Sequence, residues 1–377
     1  MDVKELTKNL ISIPSYVDEK SNEYKIGEYI YGFLKQNCPW LRLNKQIVEN
    51  NRCNIIARDK AEPRLLFVNH IDTVEPKIGG KFDPLVPTIR QERIYGLGAT
   101  DRKGGTAALL SSLKSFNKTK GLMLLFYVDE EYDFKGMKIF LEGYQLNPKL
   151  VLGCESNFEI VKGCRGLIEL SIQITGSSGH SARPQSGKNA IEGSFYAIGV
   201  LKKRLSKYMD KPFGKTTLNL AYLRGGLRKD LEGSNTVLSK QSNNIPDFAE
   251  AVIEVRPSVE EVTADYVAGV LKRELVNTGY KINNIRIRHD LRGYKTEKDK
   301  LKDLEEAIKQ AGFKPKYRKL NYRGYSDLAM INDKFNCPCI NFGPKGDNKH
   351  KADEYVEIGD LDKCEKVYKN LISQICT

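Results

Sequence analysis

Residues 64–74 read R-L-L-F-V-N-H-I-D-T-V, a short apolar run that ends on a histidine and an aspartate. An unbroken apolar run of this length has the texture of a strand buried on both faces, as in a parallel sheet. It recurs at G-L-M-L-L-F-Y-V (121–128) and K-L-V-L-G (149–153). Helical stretches lie around and between these runs. Residues 23–37 place Ile26, Ile30, Phe33 and Leu34 on one face, 103–116 open on Gly104-Gly105 and continue A-A-L-L-S-S-L, and 135–144 form a third. Strands alternating with helices predict an α/β fold, a mostly parallel sheet with helices on both faces.

The texture changes after Cys164. G-L-I-E-L-S-I-Q-I (166–174) alternates with period two, as a strand with one wet face does. A helix at 189–208, strands near 216–223, 248–256 and 282–288, and a helix at 259–277 complete an α+β unit. The α/β texture returns with helix 300–311, a strand near 338–342 and a helix at 361–375. The expected organisation is one α/β domain, 1–164 and 290–377, interrupted by a smaller α+β domain, 165–289.

The chain has 377 residues, 40% of them apolar, with 61 Lys+Arg against 48 Asp+Glu and a net charge of +13. That is ample material for packed cores, and it excludes a disordered tail or a disulfide miniprotein. No apolar run approaches the ~20 residues that a membrane-spanning helix needs, and the start lacks the apolar stretch of a signal peptide. The eight cysteines show no C-x-x-C pair and read as reduced, mostly buried thiols in a cytoplasmic protein. The basic excess is spread along the chain, with no interleaved basic and aromatic motif. It argues for a solvated surface or an acidic partner rather than for nucleic acid.

Five clusters carry chemistry, each at or just after a predicted strand end or helix start, the edge where open α/β sheets bind ligands. His70 and Asp72 in N-H-I-D project to the same side of an extended chain, as an imidazole and the carboxylate that fixes its tautomer do. Asp101 lies between glycines in Y-G-L-G-A-T-D-R-K-G-G (95–105), which matches neither phosphate-loop pattern. V-D-E-E (128–131) sets three acids beside an apolar strand, a costly arrangement unless they are solvated or neutralised by a cation. Glu155 in C-E-S-N and His350 in K-H-K-A-D-E-Y (349–355) complete the set. Two histidines and several carboxylates at successive strand ends fit a two-metal hydrolytic site. The residues alone do not divide Glu130 from Glu131.

The run H-x-D, G-x-x-D-x-K-G-G, D-E-E, a later Glu and a late His resembles the di-zinc aminoacylase/carboxypeptidase family, which includes acetylornithine deacetylase, succinyl-diaminopimelate desuccinylase and glutamate carboxypeptidase. The resemblance spans the chain, since G-S-S-G-H-S-A-R-P-Q-S-G-K-N-A-I (176–191) is similar to the family's inserted-domain signature. It implies a zinc peptidase domain of the phosphorylase/hydrolase-like type and an inserted dimerisation or lid domain. It implies two zinc ions, replaceable by cobalt or manganese: one on His70 and Glu155, one on Glu131 and His350, with Asp101 bridging. Asp72 then orients His70, and Glu130 is the general base for a hydroxide shared by the zinc ions. His180 resembles the histidine that enters the partner subunit's site and stabilises the oxyanion. Arg256 and Asn235 resemble residues that grip the substrate carboxylate, and Gly324 and Tyr325 line the substrate. His289 matches nothing in the family and reads as a surface residue.

The implied reaction is hydrolysis of the amide bond of an N-acyl amino acid. The alternatives are a carboxypeptidase or dipeptidase, or release of lysine or ornithine from an acidic amino-group carrier protein. A metal-free scaffold and a nucleic-acid binder are the competing classes; the intact ligand set argues against the first, and no interleaved basic and aromatic motif supports the second. A homodimer is expected, built from an unpaired edge at 166–174 and an apolar face of helix 189–208.

Overall fold

A computed structural model describes residues 1–232, 235–321 and 324–377, the side chains of 230–232 and 235 excepted. The chain forms two compact units. The first comprises Met1–Gly163, Lys295–Lys319 and Met330–Thr377, and the second Cys164–Tyr294 and Leu320–Ala329. Residues 320–321 and 324–329, grouped with the α/β domain by their position in the sequence, therefore pack with the second unit.

In the first unit a six-stranded sheet runs, edge to edge, Arg42–Glu49, Arg52–Arg58, Leu122–Tyr127, Leu65–His70, Leu150–Gly153, Cys339–Asn341. The last four are parallel, and the first two form an antiparallel hairpin on one edge. The apolar runs are buried on both faces because alternate residues supply two cores. Leu65, Phe67, Leu122, Leu124, Phe126, Leu150 and Leu152 join one cluster with helices Val3–Ile11, Tyr24–Asn37, Gly104–Leu113 and Ile358–Cys376. Leu66, Val68, Met123, Leu125 and Val151 alternate with them and are equally buried.

Strand order positions the site. The first parallel strand in the chain, Leu65–His70, has the second on one side and the third on the other. Successive connections therefore leave its carboxyl end in opposite directions, which opens a crevice there. In register, His70 pairs with Tyr127, Val68 with Gly153, and Gly153 with Asn341. Asp72, Asp129–Glu131, Glu155 and the loop after Asn341 thus leave the sheet along one edge.

The second unit is an antiparallel sheet ordered Asn235–Ser239, Thr217–Glu232, Phe248–Arg256, Leu167–Thr175, Lys281–Leu291. Its core unites Ile168, Leu170, Ile172 and Ile174 with helices Ala190–Leu205 and Ala264–Asn277. Asn189 accepts the Ile191 and Glu192 N–H groups at the start of the first helix, and Thr263 accepts Tyr266 N–H at the start of the second. The basic run Lys202-Lys203-Arg204 occupies the last turn of its helix, where cations complement the helix dipole. Two expectations are corrected here. Strand 167–175 is central, paired on both sides, because Lys281–Leu291 covers the edge it was expected to offer. His289 lies on that covering strand and is buried, 5% exposed, rather than on the surface.

Candidate metal centre

The first unit gathers His70, Asp72, Asp101, Glu130, Glu131 and His350 at the carboxyl edge of its sheet. His70 closes its strand with its ring buried. Its Nδ1 lies 3.1 Å from the Asp72 carbonyl and 3.4 Å from Asp72 Oδ1, and its Nε2 lies 3.3 Å from Asp101 Oδ1. A ring that donates from Nδ1 keeps the lone pair of its neutral form on Nε2. That lone pair faces a carboxylate oxygen, an arrangement that needs a proton or a metal ion between them. His350 repeats it: its Nε2 lies 3.4 Å from Asp101 Oδ2 and 3.3 Å from Glu131 Oε1. Among the described residues two groups of side chains place ligand atoms within 4.8 Å of one another, His70–Glu130–Glu131 and Asp101–Glu131–His350. These donors fit a zinc-like ion, which takes imidazole nitrogen and carboxylate oxygen.

Titration behaviour follows from this crowding. Burial works against the His70 imidazolium, but Glu130, Asp101 and Asp72 hold its pKa well above the ordinary range. Hydrogen bonds to Asp101 and Glu131 push His350 up to about 10. Burial works against the Asp101 carboxylate as well, yet Lys349 and the two imidazoles keep its pKa well below the usual value.

The acids of V-D-E-E divide three ways. Asp129 turns away from the ligands into a buried network: Arg52 Nη2 lies 2.7 Å from Asp129 Oδ1 and 2.6 Å from Glu23 Oε1. The cost of its charge is thus met by arginine. Glu131 donates its backbone N–H to Asp72 Oδ2 at 2.9 Å, which aligns its carboxylate with His350. Glu130 stands in the His70 group.

Asp101 sits in an irregular turn, Ala99–Lys103, that leads into helix Gly104–Leu113. Gly98 enters the turn at φ +78°, a conformation that favours glycine. The turn is held by Glu354, a buried carboxylate absent from the sequence-based site. It accepts N–H groups from Gly98 at 2.8 Å and from Thr100 and Asp101 at 2.9 Å. Burial and the nearby Asp101 charge push Glu354 up to about 7. The signal for it was its place four residues after His350, beside the apolar Val356.

Glu155 stands apart from both ligand groups. Its Oε1 lies 3.3 Å from Arg102 Nη2, and its Oε2 is bonded to the Lys349 ammonium, which also lies 3.5 Å from Asp101 Oδ1.

His180, Arg256, Gly324 and Tyr325 belong to the second unit. His180 is exposed in its turn and accepts the Ala182 N–H on Nδ1 at 3.1 Å, which leaves the ring proton of its neutral form on Nε2. Arg256 ends its strand with Nε and Nη2 bonded to the Glu254 carboxylate at 2.8 and 2.9 Å. Gly324 is exposed and Tyr325 half-buried, while the Asn235 side chain lies outside the described residues.

An α/β sheet whose switch point gathers imidazoles and carboxylates around Asp101 is the setting of a metal-dependent hydrolase. Residues 66–374 match the profile of Peptidase family M20/M25/M40, and the chain belongs to that family. It is similar to an acetylornithine deacetylase of Aliivibrio salmonicida, 26% identical over 100% of this chain and 99% of the relative. It is also similar to a probable carboxypeptidase of Aspergillus clavatus, 27% identical over 97% of this chain and 87% of the relative. The fold matches an M20 family metallo-carboxypeptidase from Sulfolobus solfataricus with a TM-score of 0.79 at 18% identity, covering 99% of both chains. Among the described residues no helix is long and apolar enough to cross a membrane.

Proposed function

We propose that the chain hydrolyses the amide bond of an N-acyl amino acid, in the manner of the acetylornithine and succinyl-diaminopimelate deacylases. The observation that carries this reading is the convergence of His70, Asp101, Glu131 and His350, whose nitrogen lone pairs and carboxylate oxygens face one another. Asp101, Glu131 and His350 would hold one zinc ion, and Asp101 with His70 and Glu155 would hold the other. A bound zinc polarises the scissile carbonyl and acidifies the attacking water.

The protein's own groups do the rest. Glu130 takes the proton of the attacking water and returns it to the leaving amine. Asp72 holds the His70 ring and, through the Glu131 N–H, the neighbouring ligand. His180 donates from Nε2 to the developing oxyanion, Arg256 and Asn235 bind the carboxylate end of the substrate, and Gly324 and Tyr325 line it. The second unit serves as lid and as the surface of a homodimer, where Phe195 and Tyr196 are exposed on helix Ala190–Leu205. The cysteines are all free, which suits a reducing, cytoplasmic compartment.

The Aspergillus relative favours a second reading, carboxypeptidase action on short peptides. Assays of zinc-loaded protein on N-acetyl and N-succinyl amino acids and on dipeptides separate the two. Chelator-sensitive release of a free amino acid from the N-acyl series is expected. Turnover of dipeptides alone shifts the assignment to the second reading, and hydrolysis of none of them overturns both.

A further inference from the structure

We propose that Lys349 is a built-in cation holding the Glu155 half of the metal centre. The chain then takes one metal ion tightly at Asp101, Glu131 and His350, and a second only as the Lys349 ammonium withdraws. The inference rests on the metal-dependent reading above and concerns how that site loads.

Of the three groups that would share the second ion, Asp101 and Glu155 meet an ammonium, and His70 faces the same Asp101 carboxylate. Lys349 Nζ bonds Glu155 Oε2 and lies 3.5 Å from the Asp101 Oδ1 that His70 also faces. Glu155 is further held by Arg102, whose side chain is 1% exposed and whose Nη1 donates to the Val68 carbonyl at 3.2 Å. Two positive charges therefore meet the one carboxylate an incoming ion would need there, and an ion entering beside them is repelled. Among the described residues Glu155 accordingly belongs to neither group with metal-binding spacing. Asp101 presents its other oxygen, Oδ2, to His350 on the side where Glu131 stands, so that half is composed of ligands.

The two cations differ in freedom. Arg102 is packed and bonded to main chain. Lys349 has a side chain 38% exposed and a flexible stem, so its ammonium can leave for solvent. It also immediately precedes His350, so the ligand of one position and the occupant of the other ride on the same turn. The centre is asymmetric by construction.

Equilibrium dialysis of the full chain against zinc, with metal content read by mass spectrometry, tests this without reference to turnover. The wild-type chain is expected to bind one ion tightly and a second at least about 10-fold more weakly, the scale on which neighbours of a metal ligand alter affinity. Lys349→Met and Lys349→Ala should each strengthen the second ion by about 10–100-fold and leave the first unchanged. Lys351→Ala, at an exposed neighbour, should change neither. Two equally tight ions in the wild type, which needs no variant to observe, overturn the proposal and leave the hydrolase reading standing. Variants whose second ion binds as in the wild type do the same. Tight binding of no ion by any of these chains overturns the proposal together with the reading beneath it.

Discussion

Glu130 and Glu131 are neighbours that the residues alone could not tell apart. Both stand with His70, but Glu131 is also aligned by Asp72 and stands with Asp101 and His350, a second group that does not include Glu130. On the proposed roles, Glu131→Ala should lose metal. Glu130→Ala should keep it and lose about 10²–10⁴-fold in kcat; metal content measured beside kcat decides, and exchanged phenotypes reverse the assignment. Glu354 offers a second prediction. Its pKa rises on folding from 4.5 to about 7, so the fold prefers its neutral form. That stability is complete below pH 4.5 and lost as pH climbs through 7. In chelated protein, thermal melts of Glu354→Gln should therefore fall less between these pH values than wild type. Glu354→Ala strands three backbone N–H groups at about 1–3 kcal/mol each, and a melt unchanged by that variant would refute the role. The residue was hard to see in the sequence because its partners are main-chain groups some 250 positions away, and nothing in D-E-Y announces them. His70, Asp101 and His350 were legible because their chemistry is local to quoted motifs.

At the scale of elements, the apolar runs located the strands to within a residue or two, since full burial leaves its mark on every position. The hairpin Arg42–Glu49/Arg52–Arg58 left a weaker mark: its outer strand is largely exposed and rich in charge. Strand 167–175 shows why pairing is harder than existence. Period-two alternation reports one wet face, but says nothing about neighbours within the sheet, and Lys281–Leu291 supplied the one that was not foreseen. Helix Gly104–Leu113 yields a prediction of its own. A Cβ on Gly105 would lie 1.8 Å from the Cys154 carbonyl oxygen, backbone that cannot swing aside. Gly105→Ala should cost about 1–3 kcal/mol by overpacking and push the Cys154–Glu155 segment outward. Urea melts and zinc content should fall together; a normal value of either would show that this contact does not set the site.

For the molecule as a whole, the net charge of +13 bears on what it meets. If the substrate amino acid is carried on an acidic protein, association should weaken steeply as salt rises, whereas a free N-acyl amino acid should show a shallow dependence. Equally flat profiles for the two would retire the carrier. The proposed homodimer makes a separate demand. Mixing inactive His180→Ala chains with inactive Glu130→Ala chains should restore activity if His180 serves its partner's site, because one site in each mixed dimer is then complete. No recovery despite demonstrated subunit exchange would leave His180 acting within its own chain or not at all.

The three hydrogen bonds that Glu354 accepts from Gly98, Thr100 and Asp101 tie the middle of the first unit to a segment made much later. During synthesis, residues 164–294 of the second unit leave the ribosome between these two parts. At roughly 5–20 residues per second the Asp101 turn waits many seconds for the carboxylate that shapes it. His350 arrives only four residues before that carboxylate. Until then the nascent chain carries His70, Glu130, Glu131 and Glu155 without the groups that make them a centre. On the proposed ligand roles, hydrolytic competence comes at once and late, and a polypeptide interrupted before residue 350 should be inert toward amide bonds.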